Sequence, residues 1–227
     1  MKTDTRCIRL RDGLEASRRL FSEGSSATIA FLGGSITEMN GYTAFTEDFF
    51  RENFPCCGFK FINAGISSTC SNTGAFRIQR DILDKGKIDL LFVEFAVNDN
   101  QDGHLLPEES IRAMEGIVRQ ALRNNLAMDI VFLYTINESH MADYQTGKIP
   151  REIAAHERVA EYYRLPSLNF AEEVARRIGA GEFDWKTFGG VHPAPFGNRL
   201  YADVIASVFA MPAPEAESTA RQTNLSL

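Results

Sequence analysis

No stretch of this chain approaches the ~20 consecutive apolar residues that a membrane-spanning helix needs. Basic blocks are missing as well. With 24 Lys and Arg against 30 Asp and Glu, the formal charge is −6. That balance speaks against nucleic acid, whose partners usually carry a basic patch. Cysteine is sparse and unpatterned: Cys7, Cys56, Cys57 and Cys70 show no metal-ligand spacing, so reduced thiols are expected. The histidines lack metal spacing too. No metal and no cofactor is expected, and nothing in the sequence speaks to oligomeric state. Repeats and low-complexity segments are absent. Residues 1–22 are polar and carry Arg6, Arg9, Arg11, Arg18 and Arg19, without the apolar core of a signal peptide. Read as it stands, the chain is expected in the cytoplasm; a secreted chain trimmed of its signal would read the same.

What is present is enough apolar material for a sizeable core, 44% of 227 residues. One large domain fits that length. The expected division is an extension over 1–26 with a short helix at Leu14–Phe21, a domain over 27–210, and a flexible tail over 211–227.

Within the domain, apolar runs alternate with amphipathic segments. The runs are Ala27–Leu32, Phe59–Ala64, Asp89–Val97, Met128–Tyr134 and Ser167–Asn169. Between them, helices are expected over Tyr42–Asn53, Thr73–Leu83, from Pro107 onward, Pro150–Tyr163, Phe170–Ile178 and from Pro195 onward. Asn137–Lys148 and Gly179–Gly190 read as loops. Strands alternating with helices pair in parallel through right-handed crossovers. The expected fold is a three-layer α/β/α sandwich around a flavodoxin-like five-stranded parallel sheet, with ligands outside the carboxyl ends of the strands.

Chemistry-bearing residues sit at those ends. Ala27–Leu32 stops at Gly33-Gly34-Ser35, a strand, a tight turn and a hydroxyl before a helix. Alone, Ser35 reads equally well as a helix cap. Gly65 ends the second run and Asn98 the third, while His192 precedes the last helix. A serine nucleophile needs a base within hydrogen-bond reach, and His is the usual one. The amides of Ser35 and Gly65 and the Asn98 carboxamide supply oxyanion donors, each worth about 3 kcal/mol.

Gly33-Gly34-Ser35-Ile36-Thr37, Asn63-Ala64-Gly65, Ala96-Val97-Asn98-Asp99 and Val191-His192-Pro193 together resemble the SGNH (GDSL-like) hydrolases, in the family's block order and over about Thr28–Phe209. The resemblance implies Ser35 as nucleophile, His192 as base, and Ser35, Gly65 and Asn98 as the oxyanion hole. Two positions depart from the family pattern. Gly34 stands where Asp is commoner, and Gly189 stands where the family's acid lies, three residues before the histidine. Either a Ser–His dyad operates or another acid, Asp184 or Glu94, orients the imidazole.

Glu38 and Asn40 follow the nucleophile and are expected to border the pocket, as first-turn residues that also serve the helix start. Arg77 is placed to reach Glu94 or substrate, or to form a surface salt bridge. His104 and His140 read as solvated loop residues, both placed where they could line the mouth of the site. His156 reads as a core histidine, and Cys70 as an inert thiol. The expected function is a serine esterase for short-chain acyl esters, acetyl on carbohydrate by resemblance. Its partner is a small-molecule or carbohydrate ester. A sugar O-acetyltransferase with the same site and a non-catalytic glycan-binding module are the alternatives.

Overall fold

The computed structural model describes residues 5–211. Six strands form a single sheet: β1 (Ile8–Arg9), β2 (Ala27–Gly33), β3 (Phe59–Gly65), β4 (Leu90–Glu94), β5 (Asp129–Leu133) and β6 (Ser167–Leu168), in the order β1-β6-β5-β4-β2-β3. From β2 to β6 all neighbours are parallel, and these five strands have the flavodoxin order. The sixth strand went unread in the sequence. β1 is only two residues long and pairs antiparallel with β6, making the sheet mixed. Two residues carry no readable periodicity.

β4 and β5 are buried at every position, as central parallel strands must be. β3 is half-exposed and forms the edge. The helices are α1 (Glu15–Ser22), α2 (Ser35–Glu38), α3 (Tyr42–Asn53), α4 (Ser71–Asp81), α5 (Ala96–Gln101), α6 (Pro107–Asn124), α7 (Glu138–Gln145), α8 (Arg151–Tyr162), α9 (Phe170–Gly179), α10 (Trp185–Phe188) and α11 (Pro195–Ala210). α4, α6 and α8 pack side by side in one layer. On the other side, Phe21 of α1, Phe50 of α3 and Phe209 of α11 meet in one aromatic cluster, with Phe21 and Phe50 edge-on at a centroid distance of 5.4 Å.

Three segments differ from expectation, one of them the expected loop Gly179–Gly190, which contains α10 capped by Asp184. The apolar run Asp89–Val97 is strand only to Glu94. Phe95 turns the chain and α5 begins at Ala96, buried through Asp99. The run stays apolar because the helix is as buried as the strand, so hydropathy hides the junction. The expected loop 137–148 contains α7. Asn137 caps it by accepting from the His140 amide. Its polar composition conceals the helix.

Residues 5–26 contribute β1 and α1 to this sheet and core. The Ser17 amide donates to Asp129 Oδ2 at 2.8 Å, and Arg18 Nη1 to the Met211 carbonyl at 2.8 Å. Beyond Met211, the tail expected over 211–227 lies outside the described residues. No helix among the described residues is long and apolar enough to cross a membrane.

The register positions the site. Gly33 is level with Gly65 on one side and Glu94 on the other, Glu94 with Leu133, and Leu133 with Leu168. The segments after β2, β3 and β4, which carry Ser35, Ile66–Cys70 and Asn98, therefore leave the sheet side by side.

Candidate active site

Ser35 is the first residue of α2, whose leading amides have no partner within the helix. Its Oγ lies 2.8 Å from His192 Nε2. That is the geometry a base needs to take the serine proton. His192 comes from the loop between α10 and α11, held by Ala194 N donating to the Phe188 carbonyl at 2.9 Å. Asn198, one turn into α11, donates to the Pro193 carbonyl at 2.5 Å and accepts from the Tyr42 amide at 2.8 Å. The histidine loop is thus tied to the start of α3.

Gly189 explains the missing acid. It ends α10 with φ +106°, a left-handed conformation that non-glycine residues rarely adopt. A Cβ there would overlap the Ala194 amide nitrogen. An aspartate at 189 is excluded by this turn. Asp184 does not replace it. It caps α10, exposed, accepting from the Thr187 amide at 2.7 Å, and this hydrogen bonding holds its carboxyl below the usual range. Glu94 is fully buried beneath the nucleophile turn. Thr37 Oγ1 donates to its Oε2 at 2.9 Å and Thr135 Oγ1 to its Oε1 at 2.7 Å. Burial pushes its carboxyl up against these bonds. Among the described residues, the only hydrogen bond recorded for the His192 ring is the one to Ser35.

Asp184→Asn is accordingly expected to keep kcat within about threefold of wild type, whereas loss of a true orienting carboxylate costs on the order of 10⁴. Steady-state hydrolysis of p-nitrophenyl acetate checks this. A drop beyond a hundredfold would make Asp184 the acid after all.

Two of the expected oxyanion donors already have partners. The Gly65 amide donates to Asn63 Oδ1 at 2.9 Å, while Asn63 Nδ2 donates to the Thr37 carbonyl at 2.8 Å. Asn98 is 1% exposed and donates through Nδ2 to Asp102 Oδ2 at 2.9 Å, leaving one N–H of that amide. Its Oδ1 is buried without a hydrogen-bond partner. Gly34 faces it: a Cβ at 34 would overlap Asn98 Oδ1. The close approach of Asn98 thus accounts for glycine at the second departing position.

Arg77 neither reaches Glu94 nor lies on the surface. It is 6% exposed, and its guanidinium donates to the Gly33 carbonyl at 2.9 Å and the Ala64 carbonyl at 2.6 Å, pairing with Asp81 at 3.2 Å. It clamps the ends of the strands that carry Ser35 and Gly65. Glu38 is exposed and accepts from the Ser67 amide and hydroxyl, bracing the loop after β3. Asn40 is exposed beside it.

His140 was expected at the mouth and is instead fully buried. Its Nδ1 lies 3.3 Å from the Thr135 carbonyl and its Nε2 3.8 Å from Glu152 Oε2. His156 is buried as expected, its Nε2 2.8 Å from Asp99 Oδ2. Asp99 also accepts from Ser71 and Ser110, so it joins α4, α6 and α8 behind Asn98. Burial, with Asp99 and Asp102 nearby, pushes the Cys70 thiol up to about 11, which keeps it unreactive. Among the described residues no group of three or more His, Cys, Asp or Glu is placed to hold a metal ion.

Glu152, 3% exposed, sets an acid limit on stability. Burial pushes its carboxyl up, but the neighbouring His140 ring, its own amide, Arg151 and Asn100 outweigh that and hold it at about 2, against 4.5 when unperturbed. A depressed folded pKa contributes stability that is present above the unfolded value and lost as pH falls through the folded one. Thermal midpoints between pH 5 and 2.5 should therefore fall more steeply for wild type than for Glu152→Gln; equal slopes would contradict it.

Sequence reading missed Asn63, Asp102 and the amide-rich wall beside His192. The first two had faint signals. Asn63 precedes Gly65 by two residues, the spacing at which an Asx side chain accepts from a backbone amide. Asp102 lies one helical turn after Asn98. The wall is a cleft of about 520 Å³, lined by Asn100, Gln101, Asn137, Glu138 and Trp185 and running to His192.

A sequence model described as the GDSL-like lipase/acylhydrolase family matches residues 31–200. No curated protein gives a significant match. Among solved structures, a two-domain esterase active on acetylated mannans is 25% identical, with a TM-score of 0.78 over 97% of this chain and 60% of its own. This chain thus spans about three-fifths of that relative. An α/β hydrolase from the metagenome of Lake Arreo, Spain, is 18% identical, with a TM-score of 0.67 over 81% of this chain and 95% of its own. An acetylxylan esterase from Geobacillus stearothermophilus is 17% identical, with a TM-score of 0.60 over 84% of this chain and 97% of its own. At these identities the last two speak to the fold alone.

Proposed function

The chain belongs to the GDSL-like lipase/acylhydrolase family; from that premise we propose that it is a carboxylic ester hydrolase that removes acetyl groups from carbohydrate, using Ser35 and His192 as a dyad. The observation that carries the proposal is the 2.8 Å approach of Ser35 Oγ to His192 Nε2. The activity of the mannan-active neighbour supports the acetyl and carbohydrate parts.

In the proposed reaction, Ser35 Oγ attacks the ester carbonyl and gives its proton to His192 Nε2. The Ser35 amide, at the start of α2, and the remaining Asn98 N–H donate to the oxyanion. The Gly65 amide joins them by exchanging Asn63 Oδ1 for the oxyanion. His192 then protonates the leaving alcohol oxygen. Water, deprotonated by the same nitrogen, attacks the acetyl-enzyme and frees acetate and Ser35. The Asn98 Oδ1 contact with Gly34 and the Asp102 bond hold the carboxamide, so little reorganisation accompanies charge development.

Acetate release from acetylated xylan and mannan oligosaccharides tests the reading. Hydrolysis of these at kcat/KM above that for p-nitrophenyl butyrate is expected. Failure on every acetylated sugar, with turnover of longer acyl esters intact, would replace it with a lipid or aryl-ester activity.

A further inference from the structure

The His192 ring divides the site into two sides with different duties. The oxyanion donors, on Ser35, Gly65 and Asn98, lie toward β2, β3 and α5. The proton for the leaving oxygen comes from His192, so the alcohol half of an ester must sit against that ring. The cleft of about 520 Å³ opens there, sharing His192 and Gly189–Val191 with the catalytic loop.

Its wall is poor in aliphatic groups. An acyl chain needs apolar surroundings to leave water. A pyranose instead offers a C–H face and a rim of hydroxyls, which call for a flat aromatic surface and convergent polar groups. The cleft supplies both. Trp185 is half-buried, and its ring stacks on the buried Phe188 at 5.5 Å with 24° between planes. Its Nε1 donates to Glu138 Oε1 at 3.3 Å. The indole is thus fixed from behind and along one edge.

The polar side is equally constrained. Asn137 Oδ1 accepts from the His140 amide at 2.9 Å, and its Nδ2 donates to Asn100 Oδ1 at 2.9 Å. Asn100 in turn hydrogen-bonds Glu152, whose carboxylate is 3% exposed. A chain of bonds therefore runs from the cleft wall to a buried anion. Groups held this way lose little freedom when a ligand arrives.

We propose that this cleft is the subsite for the alcohol half of the substrate, and that it takes a pyranose ring stacked on Trp185 with hydroxyls on the carboxamides of Asn100 and Asn137 and the carboxylate of Glu138. The proposal rests on the carbohydrate-ester reading and assigns it a place. Trp185 is the single tryptophan of the chain, so intrinsic tryptophan emission reports this cleft alone.

The test uses the full-length Ser35→Ala protein, titrated with unacetylated xylopentaose and mannopentaose. A saturable change in emission with either sugar, half-complete at about millimolar concentration or below, is expected. No response to either would overturn the proposal. A kinetic arm uses active protein. Trp185→Ala should raise KM for an acetylated oligosaccharide at least about tenfold more than it raises KM for p-nitrophenyl acetate, with Trp185→Phe in between. Equal changes for both substrates would make Trp185 a packing residue and also overturn the proposal. Should wild type release no acetate from acetylated sugars while cutting p-nitrophenyl acetate, the carbohydrate reading fails. The emission titration still decides separately whether the cleft binds a sugar ring.

Discussion

Replacing Ser35 by alanine will lower kcat for p-nitrophenyl acetate by on the order of 10⁴–10⁶, and His192→Ala will do nearly as much. The two side chains act as one unit, because the hydroxyl is a poor nucleophile until the ring at 2.8 Å accepts its proton. The double variant should therefore be no slower than the worse single one. Ser35 is half-buried and His192 exposed, so neither truncation opens a core cavity, and melting temperatures should stay close to wild type. Initial-rate kinetics with a thermal melt on each protein make the measurement. A Ser35→Ala protein that keeps more than a few per cent of turnover ends the nucleophile assignment. Additive losses in the double variant would mean that the two residues serve separate steps.

The second large effect lies at Arg77. Its guanidinium satisfies the Gly33 and Ala64 carbonyls where β2 and β3 end, and pairs with Asp81. Arg77→Met keeps most of the apolar stem but leaves two carbonyls and a carboxylate without that partner. Asp81 is partly exposed and keeps Arg80, so the loss comes mainly from the buried strand-end carbonyls, at about 1–3 kcal/mol for each group left unsatisfied. The same carbonyls fix the turns that deliver Ser35 and Gly65. A shift of about 1 Å there is worth roughly a hundredfold in rate. Urea unfolding and kcat should both suffer, and Arg77→Lys should recover only part, since an ammonium lacks the planar fork that reaches two strands at once. Unfolding within about 1 kcal/mol of wild type for Arg77→Met would show that the clamp is dispensable.

Residues with a large local signal were read correctly in the sequence. Ala27–Leu32 followed by two glycines announces a buried strand and a sharp turn, and β2 ends there. β2, β4 and β5 were legible because each buries a run of apolar side chains that no exposed loop tolerates, and β3 by its alternation at the sheet edge. The misreadings share a different cause. His140 and Arg77 are polar and were assigned to a loop mouth and to the surface or substrate, yet both are buried because distant groups satisfy them: the Thr135 carbonyl and Glu152 for one, the ends of β2 and β3 for the other. α7 stayed hidden because its outward polarity masks its periodicity.

Local chemistry alone determined the order of the five parallel strands and the long helices between them, the turn at Ser35 and the candidacy of Gly65, Asn98 and His192, since each rests on what neighbouring residues in the chain permit. Whether those four meet was decided by strand register and by the path of the histidine loop, which bring together residues 157 apart in the case of Ser35 and His192. The same holds for the acid. Composition left Asp184, Glu94 and a dyad open. Glu94 is spent on Thr37 and Thr135, Asp184 on its own helix cap, and Gly189 sits in a left-handed turn against Ala194. Hydrogen-bond partners and steric room are properties of the packed chain, and no spacing along the sequence encodes them.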